Sequence, residues 1–343
     1  MPQTPVILIT GFLGSGKTTL LNHILREPGM ADTAVVINEF GEIAIDHLLV
    51  ETSIENTMVL QSGCICCTVR GDLVDTLVDL DAKRARGEIP AFSRVAIETT
   101  GLADPAPILH TLANEPLLAP LYRLQGVVTT VDAANGASQL ERFAEPVKQA
   151  ALADVLLLTK SDLTDAAMRS ALVARLAAIN PGAALREVTG GAIAADMLFG
   201  LVPADPHANP QEVRRWLDAD AFEHHADAPE HGNNHDRNRH DDDIRAFCLT
   251  FDAPLDWQVV KTWLASIISL RGRDLLRLKG LVALKGEAGP CVIQGVQHIL
   301  HKPLHLQAWP DADHRTRLVF IARGLSRAGL EASLAALLRA SAA

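Results

Sequence analysis

The chain has 343 residues, 48% of them hydrophobic and 21% charged, with a net charge of −10. That length exceeds one typical domain, and that composition supports a sizeable folded core. The acidic balance excludes a general electrostatic pull toward nucleic acid or anionic membrane, and no apolar run approaches the ~20 residues of a membrane span. The opening segment MPQTPVILIT lacks the basic flank and cleavage site of a secretory signal, so the expected location is the cytoplasm.

The first strand-like run, Val6–Thr10, leads into Gly11-Phe-Leu-Gly14-Ser15-Gly16-Lys17-Thr18-Thr19. This is G-x-x-x-x-G-K-[ST] between a strand and a helix, the context its chemistry requires. The glycines let backbone N–H groups turn inward around phosphate oxygens, and the helix opening at Lys17 adds its positive dipole end. Lys17 is expected to reach the β- and γ-phosphates, with the Thr18 hydroxyl on Mg²⁺.

A helix over Lys17–Arg26 and a buried strand over Ala34–Asn38 follow, then a second loop, Asn38-Glu39-Phe40-Gly41-Glu42, of switch type. Next come the strand-like Thr57–Leu60 and the sequence Gly63-Cys64-Ile65-Cys66-Cys67. Because that stretch follows a strand, it is expected on the same face as the phosphate loop. Three of the five cysteines fall here, a poor disulfide framework and a good thiolate ligand set for Zn²⁺, Fe²⁺ or Cu⁺ in a reducing compartment. Adjacent Cys66 and Cys67 cannot both aim at one metal without a bent backbone. The residues therefore suggest two of the three cysteines plus an oxygen or nitrogen ligand, with Glu39 or Glu42 as neighbours. A redox or structural cysteine cluster is the alternative.

Leu73–Arg86 is helical in pattern, and Val95–Glu98 is another buried strand, opening into Glu98-Thr99-Thr100-Gly101. An acid ending such a strand can hold Mg²⁺ through a water or position the attacking water, and the Gly101 amide can sense the γ-phosphate. Gly126–Asp132 and Asp154–Thr159 are two more buried strands, and Asp165–Ile179 is a helix. The second of these strands ends in Thr159-Lys160-Ser161-Asp162. A carboxylate there accepts both N1–H and N2–H of guanine and is left unpaired by adenine, a mismatch worth factors of about 10⁴ or more. The Lys160 stem is expected across the base. Thr159 stands where asparagine is commoner, which weakens the match; a plain helix cap at Ser161 or Asp162 is the competing reading. Alternating strands and helices imply a mostly parallel sheet covered on both faces, with ligands at the carboxyl ends of the strands.

From Pro203 to Asp243 prolines, acids and histidines replace the apolar pattern, and His224, His225, His231, His235 and His240 fall within seventeen residues. Such a composition predicts a linker without a packed core, whose imidazoles either capture metal or are merely solvated. Beyond it, Ile244–Phe251, a helix near Trp257–Leu270, strand-like pieces around Leu275–Leu284, Cys291–His298 and Arg317–Ala322, and a last helix near Ser326–Leu338 predict a small α+β domain. Cys248 and Cys291 are expected to be ordinary buried residues, and His298, His301 and His305 structural or surface ones.

Taken in order, GFLGSGKTTLL, NEFGE, GCICC, IETTGLADP and TKSD resemble the CobW/YjiA family of P-loop GTPases. The stretches WLASIISLRGRDLLRLKG, IQGVQHI and LVFIAR resemble that family's C-terminal domain. The resemblance covers nearly the whole chain apart from 203–243, and GCICC is its most specific mark. It implies an α/β P-loop GTPase domain with a mostly parallel sheet over 1–202, a His/Asp-rich linker over 203–243 and a smaller C-terminal α+β domain over 244–343. It implies nucleotide binding by Gly11, Gly14, Ser15, Gly16, Lys17, Thr18, Thr19, Gly101, Thr159, Lys160 and Asp162, with Lys17 and Glu98 catalytic and Thr18 and Glu98 on magnesium. It further implies a metal held at Cys64, Cys66 and Cys67 with Glu39, and delivered to a client metalloprotein as GTP is hydrolysed. Zinc is favoured over cobalt and iron. No nucleic-acid or membrane partner is implied, and a homo-oligomer is left open. The rival readings are a metal-storage protein and a regulatory GTPase whose cysteines are structural or redox-active.

Overall fold

A computed structural model of the protein describes residues 3–27, 30, 32–38, 50–54, 57–60, 65–68, 73–193, 198, 210–217 and 244–342. The chain forms two compact units. One gathers Met1–Gln139, Ala153–Leu172 and Ala184–Leu201; the other gathers Leu140–Leu152, Val173–Ala183 and Val202–Ala343.

The first unit is built on β1 (Thr4–Gly11), β2 (Thr33–Asn38), β3 (Val50–Ile54), β4 (Thr57–Leu60), β5 (Ile65–Thr68), β6 (Arg94–Thr99), β7 (Tyr122–Asp132), β8 (Val155–Thr159) and β9 (Ala184–Glu187). These form one sheet in the order β3-β4-β5-β2-β6-β1-β7-β8-β9. From β5 to β9 every neighbouring pair is parallel, whereas β3 and β4 join antiparallel. Val6, Ile7, Leu8 and Ile9 are all fully buried. Successive strand side chains point to opposite faces, so the sheet is covered on both. Ile7 and Ile9 share a core with Leu20, Leu21 and Ile24 of α1 (Lys17–Arg26). Elsewhere α2 (Leu73–Arg86) meets β7 where the Tyr122 hydroxyl donates to Leu77 O at 2.9 Å. Helix α3 (Ala106–Asn114) buries Leu109 and Leu112, α4 (Gly136–Arg142) leads away from β7, and α6 (Ala166–Ile179) lies between β8 and β9 in the chain.

One expectation is corrected by this topology. Strand β4 runs antiparallel to β5, with Val59 opposite Ile65. The end of β4 therefore lies where the parallel strands begin, and a segment following it does not start from the phosphate-loop edge. Cys66 and Cys67 are strand residues of β5, registered with Val35 and Val36 of β2. By sequence Thr57–Leu60 reads as one more parallel strand, since apolar runs carry no sign of direction.

In the second unit, β10 (Ile244–Phe251), β11 (Leu275–Val282), β12 (Cys291–Val296), β13 (Ile299–Leu300), β14 (Leu304–His305) and β15 (Thr316–Arg323) form an antiparallel sheet ordered β10-β15-β11-β12-β13, with β14 on β12. Two helices, here α8 (Trp257–Arg271) and α9 (Arg327–Ala342), cover one face. Their Trp263, Leu264, Leu330 and Leu334 share a core with Phe247, Leu278 and Phe320. Phe320 stacks on Phe247 at 5.7 Å and meets Trp263 edge-on at 6.0 Å. Asp256 caps α8 by accepting from the amides of Gln258 and Val259, an interaction typically worth ~1 kcal/mol. The second unit also takes in α5 (Ala144–Leu152). The smaller domain is thus the α+β fold that the sequence implied.

Cys248 and Cys291 are buried. Burial, with the nearby charge of Glu287 adding to it, pushes the Cys291 thiol up to about 11. His298 Nδ1 lies 3.2 Å from Ile268 O, a structural contact. The expectation for 203–243 needs amending, because α7 (Pro210–Leu217) lies inside it and buries Val213 and Leu217. Two apolar residues at i, i+4 suffice for one buried helical stripe, too few to stand out among prolines and acids. The five histidines fall outside the described residues. Among those residues, no helix is long and apolar enough to cross a membrane.

Candidate nucleotide site

The carboxyl ends of β6, β1, β7 and β8 lie side by side, and those of β6, β1 and β8 open into segments singled out by sequence. At β1 the loop from Gly11 to Gly16 needs glycine for physical reasons. Gly11 has φ +143°, and a Cβ there would meet Thr130 Oγ1 at 2.3 Å and Ser15 Oγ at 2.6 Å. Gly14 and Gly16 also have positive φ, +73° and +94°, a region costly for other residues. Gly16 stands at the amino end of α1, which carries no side-chain cap there. Its first amides thus remain as anion donors. Lys17 is buried, and its Nζ donates to Gly11 O at 3.0 Å and Phe12 O at 3.2 Å. Its ammonium is thereby held inside the curve of the loop. Thr18 and Thr19, on the first turn of α1, are exposed.

A row of hydroxyls supports this loop from below. Thr99 Oγ1 donates to Thr10 Oγ1 at 2.8 Å, Thr130 Oγ1 donates to Thr10 O at 3.3 Å, and Ser15 Oγ shares a 2.6 Å bond with Thr130 Oγ1. The row crosses β6, β1 and β7, so the phosphate loop is tied to both neighbouring strand ends. Glu98 is 2% exposed, registered with Ile9 of β1 on one side and Ile37 of β2 on the other. Gly101 lies against the loop: a Cβ would come within 2.8 Å of Leu13 N, so only glycine allows this approach.

At β8, Thr159 does more than the sequence suggested. Its Oγ1 donates to Ser15 O at 2.7 Å and to Val131 O at 3.2 Å. A hydroxyl here buttresses the phosphate loop. Lys160 has φ +56° and starts the 3-10 turn Ser161–Leu163, on which Asp162 is exposed. Lys160 Nζ donates to Asp132 Oδ2 at 2.8 Å.

Asp132, by sequence only the end of a strand, is a further residue of this edge. Its side chain is 2% exposed. Burial alone would raise its carboxyl, yet hydrogen bonds from Lys160, the Asn135 side chain and the amides of Asn135 and Ala134 together hold it below the ordinary carboxylate value. The Thr189-Gly190-Gly191 turn after β9 also joins this edge. Gly191, at φ +79°, packs where a Cβ would meet Thr19 O at 2.6 Å. A pair of glycines just past a strand end was the available signal.

The structure therefore brings together Gly11, Gly14, Ser15, Gly16, Lys17, Thr18, Thr19, Glu98, Gly101, Thr159, Lys160 and Asp162 along one strand edge. Glu39 and Cys64 lie outside the described residues. Cys66 and Cys67 are described only as backbone of β5.

A strand, a glycine loop with an inward lysine, a helix amino end and an acid-bearing loop two strands away together define a P-loop nucleotide-binding protein. Residues 5–187 match the family described as CobW/HypB/UreG, nucleotide-binding domain, and residues 244–338 the cobalamin synthesis protein cobW C-terminal domain; the chain belongs to the CobW family. It is 34% identical over 337 residues to the zinc chaperone YjiA of Escherichia coli (strain K12), covering 98% of this chain and 99% of that one. It is 29% identical to the zinc chaperone CobW of a Sinorhizobium species over 98% of this chain and 97% of the other. The crystal structure of Zn(II)-bound YjiA GTPase from E. coli superposes with a TM-score of 0.73 at 32% identity, covering 98% and 99% of the two chains.

Proposed function

We propose that this chain is a cytoplasmic GTP-hydrolysing zinc chaperone that passes its metal to a client metalloprotein. The observation that carries the nucleotide half is the single strand edge on which the Lys17 loop, Glu98 and the Thr159–Asp162 loop stand together. The metal half rests on the GCICC sequence and on near full-length similarity to zinc chaperones.

In this reading, backbone amides of Gly11–Thr19 bind the phosphates, and Lys17 neutralises charge on the transferring γ-phosphoryl group. Thr18 and Glu98 would hold Mg²⁺. Both supply hard oxygen donors, which suit that ion, and Glu98 stands one residue before the end of β6, beside the strand that opens into the loop. Magnesium supplies electrostatic stabilisation of the developing phosphate charge. Glu98 also remains the candidate for positioning the attacking water. Gly101 reads the γ-phosphate, while Asp162 and Lys160 recognise guanine.

Zinc is cargo, with Cys64, Cys66, Cys67 and Glu39 as its proposed ligands. One strand supports coupling to the nucleotide. Strand β2 pairs Val35 and Val36 with Cys66 and Cys67 on one side, and Ile37 with Glu98 on the other. A chaperone needs a state of weaker affinity, and moving a site from ~99% to ~1% occupancy takes about 5.5 kcal/mol of differential binding. We infer that GTP favours the tight state and hydrolysis the weak one. The domain plan consistent with this is a GTPase domain over 1–202, a connecting segment over 203–243 and a C-terminal domain over 244–343.

The test is competition with a fluorescent zinc chelator in the GDP and the non-hydrolysable GTP forms. Zinc affinity is expected to be higher in the GTP-analogue form and to collapse in Cys66→Ala. Equal affinities in the two nucleotide states would remove the chaperone cycle and leave metal storage. Coupling is reciprocal, so zinc must shift nucleotide affinity by the same factor.

A further inference from the structure

The ion pair between Asp132 and Lys160 is more than local stabilisation. Asp132 ends β7 and Thr159 ends β8 in direct register, so the two loops leave the sheet side by side. Asp132 Oδ1 accepts from Ala134 N at 2.9 Å and Asn135 N at 3.1 Å, and Oδ2 accepts from Asn135 Nδ2 at 3.0 Å. Those three bonds already satisfy the turn into α4. The fourth, from Lys160, comes from 28 residues away, and the turn does not need it.

Lys160 needs it instead. It is one of two non-glycine residues with positive φ among those described. For an L-residue with a Cβ that conformation is costly, and it persists only where the surroundings over-determine it. Here one end of the residue is fixed by Thr159, whose carbonyl accepts from Ala133 N at 2.9 Å. The other end is fixed by the Asp132 carboxylate. The four-carbon stem is thereby stretched between two adjacent strand ends, next to the exposed Asp162. A stem held this way is an apolar bar of fixed position, on which a flat ring can lie without first ordering a flexible side chain.

We propose that Asp132 is a positioning residue for the nucleotide base: it acts through Lys160, setting the stem that forms one wall of the purine site. This deepens the GTP reading given above and rests on it. Asp132 touches no nucleotide atom in this role; Lys160 does.

The experiment uses the full chain in four forms: unmodified, Asp132→Asn, Lys160→Ala and the double variant. Asparagine keeps the Oδ1 acceptor for the two amides, places an NH2 group where Oδ2 accepted from Lys160 and Asn135 Nδ2, and removes the charge that holds Lys160. Affinity is measured for a fluorescent GDP, for ADP and for inorganic pyrophosphate, with thermal midpoints recorded without ligand. Asp132→Asn is expected to weaken GDP by about ten-fold and to leave pyrophosphate affinity at the parent value. The double variant should bind GDP no more weakly than Lys160→Ala alone, since groups acting as one unit are non-additive. Additive losses in the double variant would overturn the proposal. So would an equal loss of pyrophosphate and GDP in Asp132→Asn, which would mark Asp132 as merely structural. If the unmodified protein binds ADP as tightly as GDP, the guanine reading fails first; if it prefers GDP and the losses are additive, only the role of Asp132 fails.

Discussion

Both units bury charge in a sheet, and they do it in different places. In the parallel sheet, Lys17, Glu98 and Asp132 crowd at the carboxyl ends of β1, β6 and β7 or in the loop beyond. In the antiparallel sheet, Arg277 and Lys279 lie within β11, and Arg317 lies near the start of β15. Arg317 grips Asp311 with two bonds of 2.9 and 3.0 Å and adds Asp313 O at 3.2 Å. Arg277 Nη1 donates to Leu152 O at 2.9 Å, the last residue of α5. These partners belong to the fold. At the phosphate edge the buried charges instead stand around a loop of positive-φ glycines and a helix amino end without a side-chain cap, the setting of an anion site. Buried charge is thus a poor guide to function unless its position along the strand is known.

Three substitutions can sharpen or break that comparison. The largest effect on chemistry is expected from Lys17→Ala. Removing a preorganised charge aimed at the transition state typically costs 10²–10³ in turnover, so GTP hydrolysis should fall at least that far with the fold retained by circular dichroism. Unchanged turnover would mean that the active edge has been misassigned. Arg317→Met should do the opposite. It strands the partly buried Asp311, so the cost should approach but not reach the ~3–5 kcal/mol of a fully buried ion pair, read as a lower urea midpoint of the second unit. GDP affinity in native buffer should stay within two-fold of the parent protein. A loss of nucleotide binding without a loss of stability would erase the distinction between the two sheets. Asp162→Ala has the smallest expected effect, about 1.5–3 kcal/mol in GTP binding, the range for a hydrogen bond to a charged group. Its exposed carboxylate does no structural work, so thermal stability without ligand should not move. Equal competition by ATP and GTP in the unmodified protein would defeat the base assignment outright.

Sequence was enough wherever the chemistry is local. The phosphate loop needs left-handed glycines and a helix amino end within a few residues, so Gly11–Thr19 reads as a unit without a fold. The helices Lys17–Arg26 and Leu73–Arg86 and the strand ends of the nucleotide edge follow from periodicity and punctuation in the same way. Tertiary structure decided what depends on neighbours far along the chain. Whether Thr57–Leu60 runs parallel or antiparallel is set by pairing with β5, and a short apolar run looks the same in either direction. Thr159 reads as a weak match until Ser15 O, 144 residues earlier, is seen to accept its hydroxyl. Asp132 reads as the end of a strand until β7 and β8 come into register and place it opposite the Lys160 loop. A motif records which groups a ligand needs; strand register determines which other side chains hold those groups still, and no spacing within one segment encodes it.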